Sequence, residues 1–152
     1  MCGRYSLRNP RGHPWLADAP EGTLRPRYNI APGQRVLVLG RSADGERVAR
    51  TATWAFRPRW LEGKRKPPIN ARAETAATTP MFRAAFQRGR CLLPADGWYE
   101  WQAQERGPKV PYFFHRPDDR LFWLAGLATT DADGERTVAV LTTDANATAR
   151  PI

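Results

Sequence analysis

The sequence has few features that would place it outside the ordinary cytosolic proteins. No apolar run approaches the roughly 20 residues of a membrane-spanning helix, and the N-terminus lacks the basic-then-apolar pattern of a secretory signal. Its cysteines are limited to Cys2 and Cys91, which are too few for a disulfide framework and too far apart for a metal-ligand pair. We therefore expect a cytoplasmic protein, with no membrane segment, no disulfide, no metal and no cofactor.

The composition fits one basic globular domain covering residues 1–152. With 152 residues and 41% hydrophobic content, the chain can form one core but hardly two. Lys and Arg number 24 against 15 Asp and Glu, which gives a net charge of +9 and a sequence pI near 10.5. This charge favours a polyanion, with nucleic acid as the leading candidate. Because arginine greatly outnumbers lysine, an arginine-rich proteome stays open as a second explanation.

Short apolar or alternating segments, separated by turn signals, predict a chain made mostly of strands. Asp44-Gly45 and Asp133-Gly134 are typical hairpin turns, and Pro32-Gly33 is typical of a type II turn. The predicted strands cover residues 5–7, 36–39, 47–54, 91–94, 97–102, 112–115, 121–127 and 137–141. Together they indicate an α+β fold that is predominantly antiparallel and barrel-like, with a few short helices.

Residues 8–27 are predicted to be mainly loop, with room for at most one short helix near Trp15-Leu16-Ala17. A longer helix is predicted with Thr79 as its N-cap, Pro80 at its first position and Gly89 after its end. Asp144 is predicted to cap a last helix that begins at Ala145. We expect Cys91, which lies in an apolar strand, to be a buried and unreactive thiol.

Cys2 becomes the N-terminal residue once Met1 is removed, and it then carries two nucleophiles. Its α-amine has a reference pKa of about 7.7–8.0 and its thiol one of about 8.5. The amine can condense with an aldehyde to a Schiff base, and the thiol can add to the imine carbon to close a five-membered thiazolidine. The residue alone leaves open that Cys2 is simply a small side chain in the first strand.

Two aromatic segments offer further candidates. Glu100 shares a strand face with Trp98, and a carboxyl group that loses hydration against an aromatic is suited to general acid/base catalysis. An exposed glutamate on the polar face is the alternative. Residues 57–68 contain five basic residues, three prolines and Trp60, which fits either a solvated connection or a strip that binds single-stranded nucleic acid.

Five segments, taken together, resemble the SRAP family of SOS response-associated peptidases, also called abasic site processing proteins. They match the family in order and spacing from the first residue to the last few. The segments are Met1-Cys2-Gly3-Arg4-Tyr5, Arg27-Tyr28-Asn29-Ile30-Ala31-Pro32-Gly33, Ile69-Asn70-Ala71-Arg72-Ala73-Glu74-Thr75, Ala95-Asp96-Gly97-Trp98-Tyr99-Glu100-Trp101 and Leu141-Thr142-Thr143-Asp144-Ala145-Asn146.

The resemblance implies a protein that senses abasic sites in single-stranded DNA and crosslinks them through Cys2, with lyase-type and autocatalytic peptidase chemistry. We expect it to be a monomer. Asn70 matches the asparagine that orients Cys2 and the sugar, and Glu100 matches the acid/base. Arg4 and Arg72 match arginines that hold the phosphates beside the lesion, and Trp60 matches an aromatic near the DNA. Leu61 stands where relatives can have another tryptophan, which implies weaker stacking.

The family pattern continues with a His-x-Arg-Met-Pro segment, whereas this sequence ends at Arg150-Pro151-Ile152. We interpret residues 1–152 as a partial SRAP domain without the histidine that assists ring opening. Neither His13 nor His115 lies in a matching context. Two alternatives stay open: a DNA-binding module without covalent chemistry, and a cysteine peptidase that acts on its own N-terminus.

Overall fold

The computed structural model describes residues 2–61 and 66–152, and within them the chain is mostly β-strand. The elements follow the chain in the order β1 (Arg4–Leu7), a 3-10 helix (Pro14–Leu16), β2 (Arg27–Ile30), β3 (Arg35–Arg41), β4 (Arg47–Trp54), β5 (Asn70–Arg72), α1 (Arg83–Arg88), β6 (Arg90–Ala95), β7 (Gly97–Gln102), β8 (Val110–His115), β9 (Phe122–Thr130) and β10 (Arg136–Thr142). The predicted strands and the short helix near Trp15 are confirmed; β2 and β5 were not predicted.

The strands form two sheets, and the larger one closes into a barrel. The smaller sheet has the strand order β2-β1-β7-β8, and the larger has the order β4-β3-β6-β9-β10-β5. A parallel pairing of β10 with β4 closes five strands of the larger sheet, and β5 also pairs in parallel with β10. The other pairings are antiparallel. The predicted barrel-like, predominantly antiparallel fold is therefore confirmed.

The apolar run in β3 is buried on both faces, which explains why it does not alternate with polar residues. Val36 and Val38 pack into the main core with Trp54, whereas Leu37 and Leu39 pack into a second cluster with Leu16. The hairpin to β4 turns at Gly45, whose φ of 82° is a conformation that glycine adopts readily. The turn and the apolar pattern of these two adjacent strands thus fix the register of the hairpin, and no contact between distant parts of the chain is needed.

The main helix begins later than the sequence predicts. Thr79 does not cap it, because its hydroxyl donates backwards to the carbonyl of Thr75 at 2.8 Å. Turns therefore fill the chain up to Phe82, and α1 begins at Arg83. The predicted end is correct: the Gly89 N–H donates to the Ala85 carbonyl at 2.7 Å. No helix in the described residues has the length and apolar character needed to cross a membrane.

The predicted helix from Ala145 is wrong, since the last residues form a turn. Asp144 cannot cap it because its carboxylate binds Arg72 at 2.7 Å. The side chain of Asn146 takes the capping role instead and accepts from the backbone N–H groups of Thr148 and Ala149. Because the Asn146 side chain accepts these local hydrogen bonds, the chain forms a turn here and no helix begins.

Cys91 is buried as predicted, with 8% of its surface exposed. Burial raises the pKa of its thiol to about 12, against a smaller lowering by Arg136. The thiolate, the reactive form of cysteine, is therefore scarce at neutral pH. This agrees with the prediction of an unreactive thiol.

Candidate active site

Cys2 lies just before β1, against the core of the molecule. Its side chain packs in the main hydrophobic cluster, and its Sγ lies 3.8 Å from the carbonyl oxygen of Arg4. β1 runs antiparallel to β7 with Arg4 opposite Tyr99. Continued by one residue, this register brings the chain beside Cys2 alongside Glu100.

The environment of Cys2 keeps its thiol protonated. Burial raises the pKa of the Cys2 thiol to about 12, and the nearby charge of Glu100 adds to the rise. The hydrogen bond to the Arg4 carbonyl involves the protonated sulfur. A cysteine peptidase needs the opposite arrangement, in which a neighbouring positive charge or helix N-terminus stabilises a thiolate.

Asn70 reaches Cys2 from the other sheet. It is the first residue of β5 and pairs with Val140 of β10. The preceding carbonyl, that of Ile69, accepts hydrogen bonds from the Trp54 indole at 2.8 Å and from the Val140 N–H at 3.0 Å. These two bonds fix the backbone from which the Asn70 side chain projects.

The amide of Asn70 is only half satisfied. Its Nδ2 donates to the carbonyl oxygen of Cys2 at 2.9 Å. Its buried Oδ1 accepts no hydrogen bond from any residue in the ranges 2–61 and 66–152. A buried acceptor without a donor is costly, on the order of 1–3 kcal/mol, so this oxygen is suited to accept a hydrogen bond from a ligand.

Glu100 is half-buried on β7, on the side of the strand that faces the core. Two positions earlier, Trp98 packs against that core and stacks on Phe114 with ring centroids 4.9 Å apart. Tyr99 and Trp101 occupy the opposite face, with their rings 6.4 Å apart. The predicted alternation of side chains is therefore present. The charge of Glu100 raises the pKa of the Cys2 thiol, so Glu100 lies near Cys2.

The two predicted phosphate-binding arginines are held by neighbouring side chains. Arg4 donates from Nη1 to Asn29 Oδ1 at 2.8 Å. Arg72 contacts Glu74 at 3.2 Å and Asp144 at 2.7 Å, and 54% of its side chain is exposed. Arg4 lies on β1 in the smaller sheet, just after Cys2. Arg72 lies on β5 in the larger sheet, which also carries Asn70.

The structure does not bring Trp60 into this group. Trp60 lies within a turn that is closed by a hydrogen bond from the Leu61 N–H to the Pro58 carbonyl, and 59% of its surface is exposed. Within the part of the chain that the structure describes, no hydrogen bond, ion pair or ring contact joins it to Cys2 or Asn70. Residues 62–65 of the predicted basic strip lie outside the described residues, so the DNA-binding role of Trp60 stays a prediction.

Three partners of the arginines were missed in the sequence. Glu74 could have been found, because it is a carboxylate only two residues after Arg72 in the sequence. Thr143 Oγ1 donates to the same carboxylate at 2.6 Å. Asn29 and Asp144 carry no comparable local signal, since they are 25 and 72 residues away from the arginines that they bind.

A neutral thiol, an amide with a free acceptor and a carboxylate thus meet where the two sheets join, with an arginine on each side. Among the described residues, no group of three potential metal ligands accompanies them. Such a set suits condensation of the residue bearing the thiol with an electrophilic carbon.

The chain belongs to the SRAP family, whose model, SOS response associated peptidase, matches residues 1–152. It is 38% identical over 140 residues to the abasic site processing protein YedK of Escherichia coli, covering 86% of this chain and 60% of YedK. It is 33% identical over 157 residues to YoqW of Bacillus subtilis, another abasic site processing protein, covering 96% of this chain and 70% of YoqW. The chain thus spans about 60–70% of the length of these two relatives.

A crystal structure of a protein from Bacteroides thetaiotaomicron has the same fold. Its TM-score is 0.82 at 23% sequence identity, and the match covers 99% of this chain and 72% of that one. At this identity the similarity supports the fold alone. It agrees with the barrel and the second sheet described above.

Proposed function

We propose that this protein, whose residues 1–152 form one SRAP domain, processes abasic sites in single-stranded DNA by forming a covalent crosslink through Cys2. The observation that carries the proposal is the contact of Asn70 with Cys2. The amide anchors the Cys2 carbonyl at 2.9 Å and leaves its other oxygen available beside the same residue. The two relatives compared above are both named abasic site processing proteins, which supports the same substrate.

The chemistry begins with removal of Met1, which gives Cys2 a free α-amine. The amine nitrogen attacks the C1′ aldehyde carbon of the ring-opened abasic sugar, and loss of one water leaves an imine. The Cys2 sulfur then adds to the imine carbon while its proton passes to the nitrogen, which closes a thiazolidine. One C–N bond and one C–S bond form, one water leaves, and nothing is oxidised or reduced.

The residues around Cys2 have distinct roles in these steps. Glu100 takes a proton from the attacking amine and returns it to the departing hydroxyl, since a carboxyl group near the reacting atoms can do both. Asn70 Oδ1 accepts a hydrogen bond from the amine or from a sugar hydroxyl and so fixes their orientation. Because the thiol is protonated at neutral pH, the amine reacts first and the sulfur second.

The raised pKa of the Cys2 thiol favours this reaction over peptidase chemistry. A peptidase would require the thiolate as the first nucleophile, and burial next to Glu100 disfavours that anion. Imine formation needs only the amine, whose reference pKa of about 7.7–8.0 leaves a useful neutral fraction. The protonated sulfur then only has to cyclise onto an adjacent carbon.

Binding of the strand is assigned to Arg4 and Arg72, with stacking by Trp60. A guanidinium group can bind a phosphate with two parallel hydrogen bonds. Arg72 would exchange its contacts with Glu74 and Asp144 for phosphate oxygens. A module that binds DNA without covalent chemistry has the same arginines, so the test must detect the covalent bond.

The test incubates the Met1-processed protein with single-stranded DNA that contains one abasic site and analyses the product under denaturing conditions. We expect a stable adduct whose mass equals protein plus DNA minus one water. Cys2→Ser should abolish the stable adduct and leave an imine that only borohydride traps. Cys91→Ser is the matched control, because it removes the other buried thiol and should leave the adduct intact. A stable adduct from Cys2→Ser protein would refute the thiazolidine.

A second pair of variants tests Asn70. Asn70→Ala removes both the anchor of the Cys2 carbonyl and the free acceptor, so the rate of adduct formation should fall about 10²-fold. Asn146→Ala, which removes an asparagine from the C-terminal turn, should leave the rate unchanged. An unaltered rate in Asn70→Ala protein would remove the observation on which the proposal rests.

A further inference from the structure

An open cavity of about 670 Å³ lies away from Cys2, where the hairpin of β3 and β4 meets the ends of β6, β9 and α1. Six of its lining residues are arginines: Arg41, Arg47, Arg50, Arg88, Arg90 and Arg136. We call this group the arginine cavity. Its volume lies within the range of about 300–1,000 Å³ that small-molecule sites occupy.

The arginine cavity is remote from the candidate active site. Arg136, which lines it, is the first residue of β10, whereas Asn70 pairs with Val140 of the same strand. Four residues of extended chain separate these positions by roughly 13 Å. A ligand held by the cavity therefore does not have to touch the reacting atoms.

The positive charge of the cavity is not balanced by the protein. Its lining contains no Asp or Glu. Ion pairs elsewhere in the molecule occupy Arg8, Arg35, Arg72 and Arg116. Across residues 2–61 and 66–152, by contrast, none of the six cavity arginines has a carboxylate within ion-pair distance.

Some of these arginines also oppose one another directly. Arg41 and Arg47 are cross-strand partners in the register of β3 and β4, and like charges in this position destabilise a sheet. Burial lowers the pKa of Arg136, and the charge of Arg50 lowers it further. The fold thus concentrates positive charge at a cost in stability, which an anionic ligand would relieve.

Two of the guanidinium groups are already held in place. The Arg47 guanidinium lies over the Trp15 ring, 4.3 Å from its centroid, and Arg41 Nη1 donates to the Gly45 carbonyl at 2.6 Å. A charge fixed in position before the ligand arrives loses less side-chain entropy on binding. Guanidinium groups suit phosphate in particular, because their planar donors match its oxygens in pairs.

We propose that the arginine cavity is a second phosphate-binding site, separate from the site around Cys2. Its ligand is a phosphate-bearing chain, for which the DNA strand outside the lesion is one source and a free polyphosphate the other. The phosphate chemistry follows from the cavity alone. Only the assignment to DNA rests on the proposed function.

The test compares two double variants that remove the same charge. Arg88→Gln with Arg90→Gln changes two exposed side chains of the cavity, and Arg25→Gln with Arg106→Gln changes two exposed arginines in loops elsewhere. Inorganic tripolyphosphate is titrated into each by calorimetry. We expect the cavity variant to bind it at least about tenfold more weakly than the control variant. Equal affinities in the two variants would overturn the proposal.

Two DNA strands then distinguish the sources of phosphate. One is a trinucleotide centred on the abasic site and the other extends well beyond the lesion. If the strand is the source, the cavity variant should bind only the longer DNA more weakly, with a salt slope smaller by about 0.7 per lost phosphate contact. If free polyphosphate is the source, both DNA affinities should be unchanged while tripolyphosphate affinity falls.

A further variant guards against a change in folding. Arg90→Gln alone changes one exposed cavity side chain that makes no side-chain hydrogen bond or ion pair among the described residues, so it should weaken tripolyphosphate binding without lowering the melting temperature. Tripolyphosphate binding does not involve Cys2, so the two proposals can fail separately. If the wild-type protein forms no DNA adduct but binds tripolyphosphate through these arginines, the proposed function is refuted and the phosphate-binding site is not.

Discussion

At the scale of single residues, Cys2 and Cys91 are chemically alike in the folded protein. Both are buried, and burial raises the pKa of each thiol to about 12. They differ in their neighbours, since Cys2 is held by Asn70 and lies near Glu100. The special property of Cys2 is therefore its α-amine and its position, and not an activated sulfur.

This view predicts slow alkylation of both thiols by iodoacetamide in the folded protein. Because the pKa of each thiol rises from 9.0 to about 12, the thiolate fraction near pH 8 should be about 10³-fold lower than in the unfolded chain. Mass spectrometry of the native and the denatured protein gives the two rates. Fast modification of native Cys2 near neutral pH would contradict the protonated thiol and would revive the peptidase mechanism.

At the scale of elements, Asp96 fixes the junction of β1 and β7 on which Cys2 depends. It is 1% exposed and lies between β6 and β7. Its carboxylate accepts from Ser6 Oγ at 2.7 Å, from the Asn9 N–H at 3.0 Å and from the backbone and side chain of Arg8. Burial alone would raise the pKa of Asp96, but these hydrogen bonds outweigh it and lower the pKa below its ordinary value.

Asp96→Asn should therefore lower the free energy of unfolding by about 1–3 kcal/mol, because an amide cannot accept all of these hydrogen bonds. Since the folded pKa is depressed, the wild-type carboxylate stabilises the protein above the unfolded pKa of about 3.9 and loses this effect as pH falls through the folded pKa. Urea unfolding of both proteins, measured from about pH 7 down to about pH 2, gives the difference.

The free energy of unfolding of the Asp96→Asn variant should also fall less steeply with decreasing pH, because the variant lacks the contribution of the Asp96 carboxylate. Asp118→Asn is the control, because that carboxylate is on the surface and binds Arg116, and it should change stability little. Equal losses in the two variants would show that the junction does not depend on Asp96.

At the scale of the whole molecule, the charge of +9 is unevenly distributed. Arg72 and Arg116 are both half-exposed and both paired with carboxylates, yet only Arg72 lies on β5 beside Asn70. The net charge alone cannot distinguish them. Their positions in the fold do, because the proposed DNA path passes Asn70 and Cys2, and of these two arginines only Arg72 lies beside Asn70.

The salt dependence of binding to single-stranded DNA should reflect this difference. If Arg72 binds one phosphate, Arg72→Ala should reduce the slope of log affinity against log salt by about 0.7. Arg116→Ala removes the same charge from a similar surface pair and should leave the slope unchanged. A wild-type slope near zero would show instead that the basic charge reflects composition.

Local sequence is enough to predict most of the barrel. The hairpin of β3 and β4, the turns at Gly45 and Gly134 and the alternation of Trp98 with Glu100 depend on neighbouring residues, whose conformational preferences act without long-range contacts. The start of α1 was not predictable in this way. A competing hydrogen bond from Thr79 back to Thr75 removes the expected cap.

The composition of the two proposed sites depends on contacts that span the chain. Asn70 meets Cys2 across 68 residues because β5 pairs with β10. The arginine cavity collects side chains from β3, β4, α1, β6 and β10. No local preference specifies such distances. These long-range contacts depend on the tertiary structure, in which the barrel closes between β4 and β10. The amine and thiol of Cys2, by contrast, are adjacent because they belong to one residue, so the sequence itself determines them.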